Sequence, residues 1–387
     1  MGLQERAGPV ADWSLEPAQN LWLAGLSGIV PMLEQWDERL ARVRIHARRS
    51  EKPARAKGTM DHRHYRYSAL PQRPAARGAG AGLSACVVLF LEHWDAEPSA
   101  DALRDPRFVG EFGSFSPDYR SWTQREYGLR VGVFRVLDAL DEAGIVPAVA
   151  ANARAAERLP RLVEALNARG CEWVGHGHAA TSLMHSRMTL DAQRDHIDSA
   201  LDVLQRCTGH RPVGWASQDW GTSPDTWTLL AQAGLRYTLD WTNDDQVYAL
   251  DTTPPLQAVP LSAEWDDVQC QWLRNLEPRA HATLALTAFD RLRAECAAAG
   301  RPAVFALGLH PWVCGMASRI GALRALLHEL KAPDFVAWRL PRDIANEHAV
   351  AYPEPKPQAP SPSPSQSQPQ SAEPVFSPSP LAAPRMA

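Results

Sequence analysis

Four short apolar runs in this sequence each end in side chains that can move a proton. Cys86–Leu91 leads into Glu92-His93-Trp94-Asp95, and Trp173–Gly175 into His176-Gly177-His178. Tyr237–Leu239 leads into Asp240-Trp241, with Asp244 and Asp245 close behind, and Val304–Leu309 into His310-Pro311-Trp312. A single histidine beside a strand is ordinarily a hydrogen-bonded structural group. Convergence changes that reading, because a carboxylate to take a proton from water and imidazoles to return one are what hydrolysis of a stable bond needs. Glu92, His176 and His310 are therefore the candidate catalytic residues. Trp94, His178, Trp215, Asp240, Trp241 and Trp312 are the candidate substrate contacts, with Trp220 on the same rim, although an indole next to a strand is often core instead. His176 and His178 stand two apart at a strand end and so point the same way; with His93 they are the candidate metal ligands. His185 and His196 read as surface residues of a loop or helix.

These groups must be carried by elements that alternate. Eight apolar runs read as buried parallel strands: Cys86–Leu91, Pro147–Ala151, Trp173–Gly175, Val213–Ala216, Tyr237–Leu239, Ala258–Leu261, Val304–Leu309 and Phe335–Trp338. Between them lie helical spacings such as Val133, Val136, Leu137 and Leu140, or Leu323, Leu326, Leu327 and Leu330. Seven or eight such units predict an α/β fold, a closed or nearly closed (β/α) barrel whose reactive side chains sit at the C-terminal strand ends.

Composition narrows the function. The 387 residues are 45% hydrophobic and 22% charged, with 40 basic against 44 acidic side chains and a net charge of −4. No global positive field invites nucleic acid, and the longest early apolar run, Leu21–Met32, is too short and too broken by glycine and proline to span a membrane. Six scattered cysteines without a CxxC spacing predict a reduced, cytoplasmic protein. Residues 1–59 end in a basic cluster and read as an appended segment, with Met60 as an alternative start. Residues 60–350 read as the catalytic barrel. Residues 351–387, with 11 prolines after Tyr352, read as a disordered Pro/Ser/Gln-rich tail. The loop from Trp94 to Tyr127 is long enough to be a lid over a small substrate.

The motifs resemble the polysaccharide deacetylase (NodB-homology) superfamily, and within it the metal-independent allantoinase branch. The resemblance rests on His64-Tyr65-Arg66-Tyr67-Ser68-Ala69-Leu70-Pro71 with Arg73-Pro74, Arg125-Glu126-Tyr127-Gly128 before Arg130-Val131-Gly132, and Gly175-His176-Gly177. It continues through Thr208-Gly209, Arg211-Pro212, Gly214-Trp215, Asp240-Trp241 with Asp244-Asp245, and Leu309-His310-Pro311. It implies a distorted (β/α) barrel of seven or eight strands, in which Glu92 takes the place of the aspartate general base and His93 that of the metal-binding aspartate. His176 matches the first metal-binding histidine, while Ala180 stands where the second would be. Ala216 and Ser217 stand where an arginine would orient the base, and His310 matches the general acid.

The losses fall on the metal site, which points to hydrolysis of a non-peptide carbon–nitrogen bond in a small amide or ureide, with no cofactor required. Zinc or another divalent ion on His93, His176 and His178 is the alternative, giving N-deacetylation of amino sugars; a non-catalytic ligand-binding barrel is a third reading. A small molecule is the expected partner, without nucleic acid or membrane, and a homo-oligomer is compatible with the sequence.

Overall fold

The computed structural model describes residues 64–70, 73, 82–98, 102 and 117–351. The extension 1–59, most of the loop between Trp94 and Tyr127, and the proline-rich tail after Tyr352 lie outside those residues, and with them the expectations placed there.

Nine strands are described: β1 (Leu83–Leu91), β2 (Ala148–Ala151), β3 (Glu172–Gly175), β4 (Gly214–Trp215), β5 (Tyr237–Thr238), β6 (Tyr248–Leu250), β7 (Leu256–Ala258), β8 (Ala303–Leu309) and β9 (Ala337–Trp338). They form one sheet in the order β6-β7-β5-β4-β3-β2-β1-β8, with β9 paired to β1. Every pairing is parallel except β6 with β7. Among the described residues β8 does not pair with β6, so the barrel is distorted, as the resemblance implies, and open on that side rather than closed. The antiparallel β6 is the strand that the sequence reading lacks: three residues give no apolar run to recognise.

The helices are α1 (Tyr119–Tyr127), α2 (Val133–Ala143), α3 (Ala153–Arg158), α4 (Pro160–Ala168), α5 (Leu190–Thr208), α6 (Thr226–Gln232), α7 (Pro278–Ala299), α8 (Ile320–Lys331) and α9 (Pro341–Ala351). A π-helical turn, Gly128–Gly132, joins α1 to α2. The turn lies hard against the loop after β8. A Cβ on Gly128 would stand 2.6 Å from the Trp312 nitrogen, and one on Gly132 would stand 2.2 Å from the Pro311 oxygen. Glycine is required here because two backbones touch.

Alternation along the strands divides the core. On β1, Ala85, Val87, Leu89 and Leu91 join the cluster packed under the helices, while Cys86, Val88 and Phe90 face the barrel interior. On β8, Phe305, Leu307 and Leu309 face the helices, and Val304 and Ala306 face inward. The helix side is bulky and the interior is small, with Ala148, Ala150, Ala216 and Ala306 among its residues. At the end of the barrel away from the candidate groups, buried Glu172 accepts from the Tyr237 hydroxyl at 2.6 Å and from the Arg342 backbone N–H at 3.1 Å, so that it caps α9.

Candidate active site

The period of two that sorts the core also assembles the site. Glu92 continues the inward series Cys86-Val88-Phe90, Asn152 continues Ala148-Ala150, His176 follows Val174, and His310 follows Val304-Ala306-Gly308. All four are buried. Glu92, His176 and His310 line one cleft, which Phe90, Trp94, Trp220 and Trp312 wall with aromatic rings.

Glu92 is surrounded by donors. Its Oε1 accepts from Gln218 Nε2, and its Oε2 from Trp312 Nε1 at 3.0 Å and Trp94 Nε1 at 3.4 Å. His176 Nε2 lies 3.8 Å from Oε1. Burial pushes the Glu92 carboxyl up, but the hydrogen bonding and charge of His176, the charge of His310 and the Gln218 amide outweigh it and bring the group down to about 2. His176 donates from Nδ1 to the Ala216 carbonyl at 2.6 Å, and its buried Nε2 has no hydrogen-bond partner. Nε2 is thereby the edge that His176 turns toward Glu92 Oε1.

His310 is surrounded by acceptors. Its Nδ1 donates to Asp267 Oδ1 at 2.7 Å, its backbone N–H to Asp267 Oδ2 at 2.9 Å, and Asp266 Oδ2 lies 3.7 Å from Nδ1. Phe90 stacks on the ring face at 4.2 Å with 3° between planes. Burial would lower the imidazolium, yet the two buried carboxylates raise it to about 10. Asp266 is itself held up by burial and by the neighbouring Asp267 charge, against the pull of His310. With Nδ1 engaged, Nε2 is the edge that His310 presents to the cleft.

Of the expected substrate contacts, Trp94, Asp240 and Trp312 line the cleft, while Trp215, Trp241 and His178 do not. Trp215 is core, 1% exposed, with its Nε1 donated to Ser217 Oγ at 3.0 Å. Trp241 packs on Trp227 at 4.9 Å and on Tyr65 at 5.5 Å. His178 bonds Ser199 Oγ at 2.8 Å and sits edge-on to His196, so His196 is half-buried packing rather than surface. Asp240 already accepts from the Ser217 N–H, the Ser217 hydroxyl and the Thr238 hydroxyl, at 2.7, 2.8 and 2.9 Å. It braces the loop that carries Gln218.

The three-histidine metal set is not assembled. His93 bonds Asp95 through Nε2 and Arg158 through Nδ1, and His178 Nε2 is taken by Ser199. Among the described residues, Asp266, Asp267 and His310 are the single group whose ligand-type atoms all lie within 4.8 Å of one another. The sequence reading also passed over Gln218 and the Asp266-Asp267 pair. The pair follows the sixth apolar run by five residues, so the rule applied at the other strand ends could have found it. Gln218 has no such signal, because its role depends on a short 3₁₀ turn, Gln218–Trp220.

The polysaccharide deacetylase family profile matches residues 126–238. A peptidoglycan deacetylase-like protein of Gibberella zeae is 26% identical over 240 residues, which is 52% of this chain and 70% of that protein. A crystal structure of a probable polysaccharide deacetylase from Pseudomonas aeruginosa PAO1 is 25% identical with a TM-score of 0.64, over 73% of this chain and 96% of that one. The crystal structure of the PuuE allantoinase aligns with the same identity, coverage and TM-score.

Proposed function

We propose that this chain, whose residues 126–238 match the polysaccharide deacetylase family, hydrolyses a carbon–nitrogen bond in a small amide or cyclic ureide, with Glu92 as base and His310 as acid. The observation that carries the reading is the opposite surroundings of two groups in one cleft. Glu92 meets only donors and cations and is ionised at any working pH, whereas His310 meets carboxylates and keeps its proton. Environments that drive an acid and a base apart in this way are what acid–base hydrolysis uses.

A carboxylate this well solvated by donors is a weak base by itself. His176 Nε2 and Glu92 Oε1 face the same side of the cleft, so a water held there is oriented by both as it gives its proton to the carboxylate. His310 Nε2–H then protonates the departing nitrogen, which could not leave as an anion. A cleft walled by Phe90, Trp94, Trp220 and Trp312 suits a small substrate. The likeness to an allantoinase structure supports a ureide.

Members of this family usually employ a divalent metal. The positions that would hold it by resemblance, His93, His176 and Ala180, do not fit, since the His93 ring is fully engaged and Ala180 has no donor side chain. Asp266, Asp267 and His310 have the right donor types. The 2.7 Å between Nδ1 and Oδ1 is a hydrogen-bond length, however, shorter than the ~3.3 Å that separates two ligands held tetrahedrally at ~2.0 Å from zinc. An ion there would have to replace the Nδ1 proton.

A turnover screen tests the reading: allantoin, other cyclic ureides, formamides and N-acetyl amino sugars, each with and without a strong chelator. Hydrolysis of a ureide or formamide that survives chelation is the expected result. Release of acetate from amino sugars that chelation abolishes and added metal restores would replace this reading with metal-dependent deacetylation.

A further inference from the structure

The general base is held from one side by Gln218 and from the other by two indoles, and both indoles are in turn stacked on one buried cation. Arg125, on α1, is 6% exposed. Its guanidinium carbon lies 4.1 Å from the centre of the Trp94 ring and 4.9 Å from that of Trp312. The N–H groups of these same two rings converge on Glu92 Oε2. No other described side chain touches both indoles in this way among the cation–ring contacts.

The neighbours of Arg125 on the helix act on the same loop. Trp122 donates from Nε1 to the Trp94 carbonyl at 2.9 Å. Glu126 accepts from both terminal nitrogens of Arg158, at 3.1 and 3.0 Å, and Arg158 reaches His93 Nδ1. Residues 122, 125 and 126 share one helix face by their spacing, so α1 grips Glu92-His93-Trp94 at three points. The register of that face is fixed downstream, where the Gly128–Gly132 turn presses on Pro311 and Trp312.

We infer that Arg125 is a positioning residue for the general base: its guanidinium fixes the Trp94 and Trp312 indoles that hold Glu92 Oε2, which leaves Oε1 aimed at His176 and the water. This role is the one that the arginine missing at Ala216-Ser217 would have filled, supplied from a different element and acting through the rings. A planar, always-charged guanidinium can lie against two aromatic faces at once, and a lysine ammonium cannot. The inference rests on Glu92 being the base.

The test uses Arg125→Met, Arg125→Lys, Trp94→Phe and Glu92→Gln in the full chain. Solvent exchange of the indole N–H protons is followed by NMR, and allantoin hydrolysis by kinetics. In Arg125→Met the Trp312 indole should exchange at least about tenfold faster. Its kcat on allantoin should fall about 10- to 100-fold with KM within about threefold, and the acid limb of the rate profile should move to higher pH. Arg125→Lys should recover little of this. Trp94→Phe, which keeps a ring and removes one donor, should show a smaller rise of the same limb and faster Trp312 exchange, and serves if the arginine variants do not fold. Unchanged Trp312 exchange in Arg125→Met, or in Trp94→Phe where that variant alone folds, overturns the inference whatever allantoin does. Full allantoin turnover in Glu92→Gln would instead refute the role of the base itself.

Discussion

Asp267→Asn tests the acid half of the mechanism with a substitution that changes charge and almost nothing else. The asparagine can still accept the His310 backbone N–H, but it no longer offers a carboxylate to Nδ1. Raising an imidazole from 6.5 to about 10 corresponds to about 5 kcal/mol of preference for the charged form, at ~1.4 kcal/mol per pH decade. Two carboxylates share that preference against burial, and Asp267 makes the hydrogen bond, so its removal should cost about 2–3 kcal/mol at pH 7. The sign follows from linkage. A histidine raised in the folded state contributes stability that is complete below its ordinary value of 6.5 and disappears as pH climbs through about 10. Urea denaturation of wild type and Asp267→Asn should therefore differ by that amount at pH 7 and converge by about pH 10.5. The alkaline limb of kcat/KM should descend from near pH 10 by one to two decades. A stability difference that stays constant from pH 7 to pH 10.5, together with an alkaline limb that does not move, would refute the claim that the paired aspartates keep the acid charged.

Glu92→Gln and His310→Asn should each lower kcat by about 10²- to 10⁴-fold in a folded protein, read by steady-state kinetics on whichever substrate the screen identifies. Glu172, raised to about 7 chiefly by burial, against the pull of Tyr237 and the Arg342 N–H, holds its proton more firmly in the folded chain. Its contribution of about 3 kcal/mol is complete below pH 4.5 and lost as pH rises through 7, so Glu172→Gln should flatten the stability profile between pH 5 and 8 in chemical denaturation. Gly132→Ala should cost at least about 1–3 kcal/mol, measured by thermal or chemical melting, because the added methyl collides with the Pro311 carbonyl and neither backbone has room to retreat.

The longer parallel strands were legible because β1 and β8 are continuous apolar runs, and the convergence of Glu92, His176 and His310 was legible because alternation carries straight through a strand end into the next inward residue. Glu92 and His310 are such residues. The tryptophans were not separable in this way: Trp215 and Trp312 both follow glycine or proline near a strand end, yet one fills the helix-side core and the other bonds the base. That difference is made by which loop backbone each follows, which a strand-end rule does not encode. Asp266 and Asp267 were within reach of that rule, five residues past the sixth apolar run; what the rule does not encode is that this segment meets His310. Arg125 was visible as a motif residue, but its partners are 31 residues before it and 187 after it in sequence.

The division of the core into a bulky helix-facing layer and a small inward layer has a consequence for how such a protein can change over generations. Adhesion between sheet and helices depends on Val87, Leu89, Phe305 and Leu307, none of which touches the cleft, whereas the chemistry occupies single positions one step beyond Phe90, Ala150, Val174 and Gly308. Each of these side chains lies outside the packing between sheet and helices, and each comes from a different strand. Saturation mutagenesis should display this as two nearly disjoint sets of sensitive positions, one scored by abundance and the other by turnover.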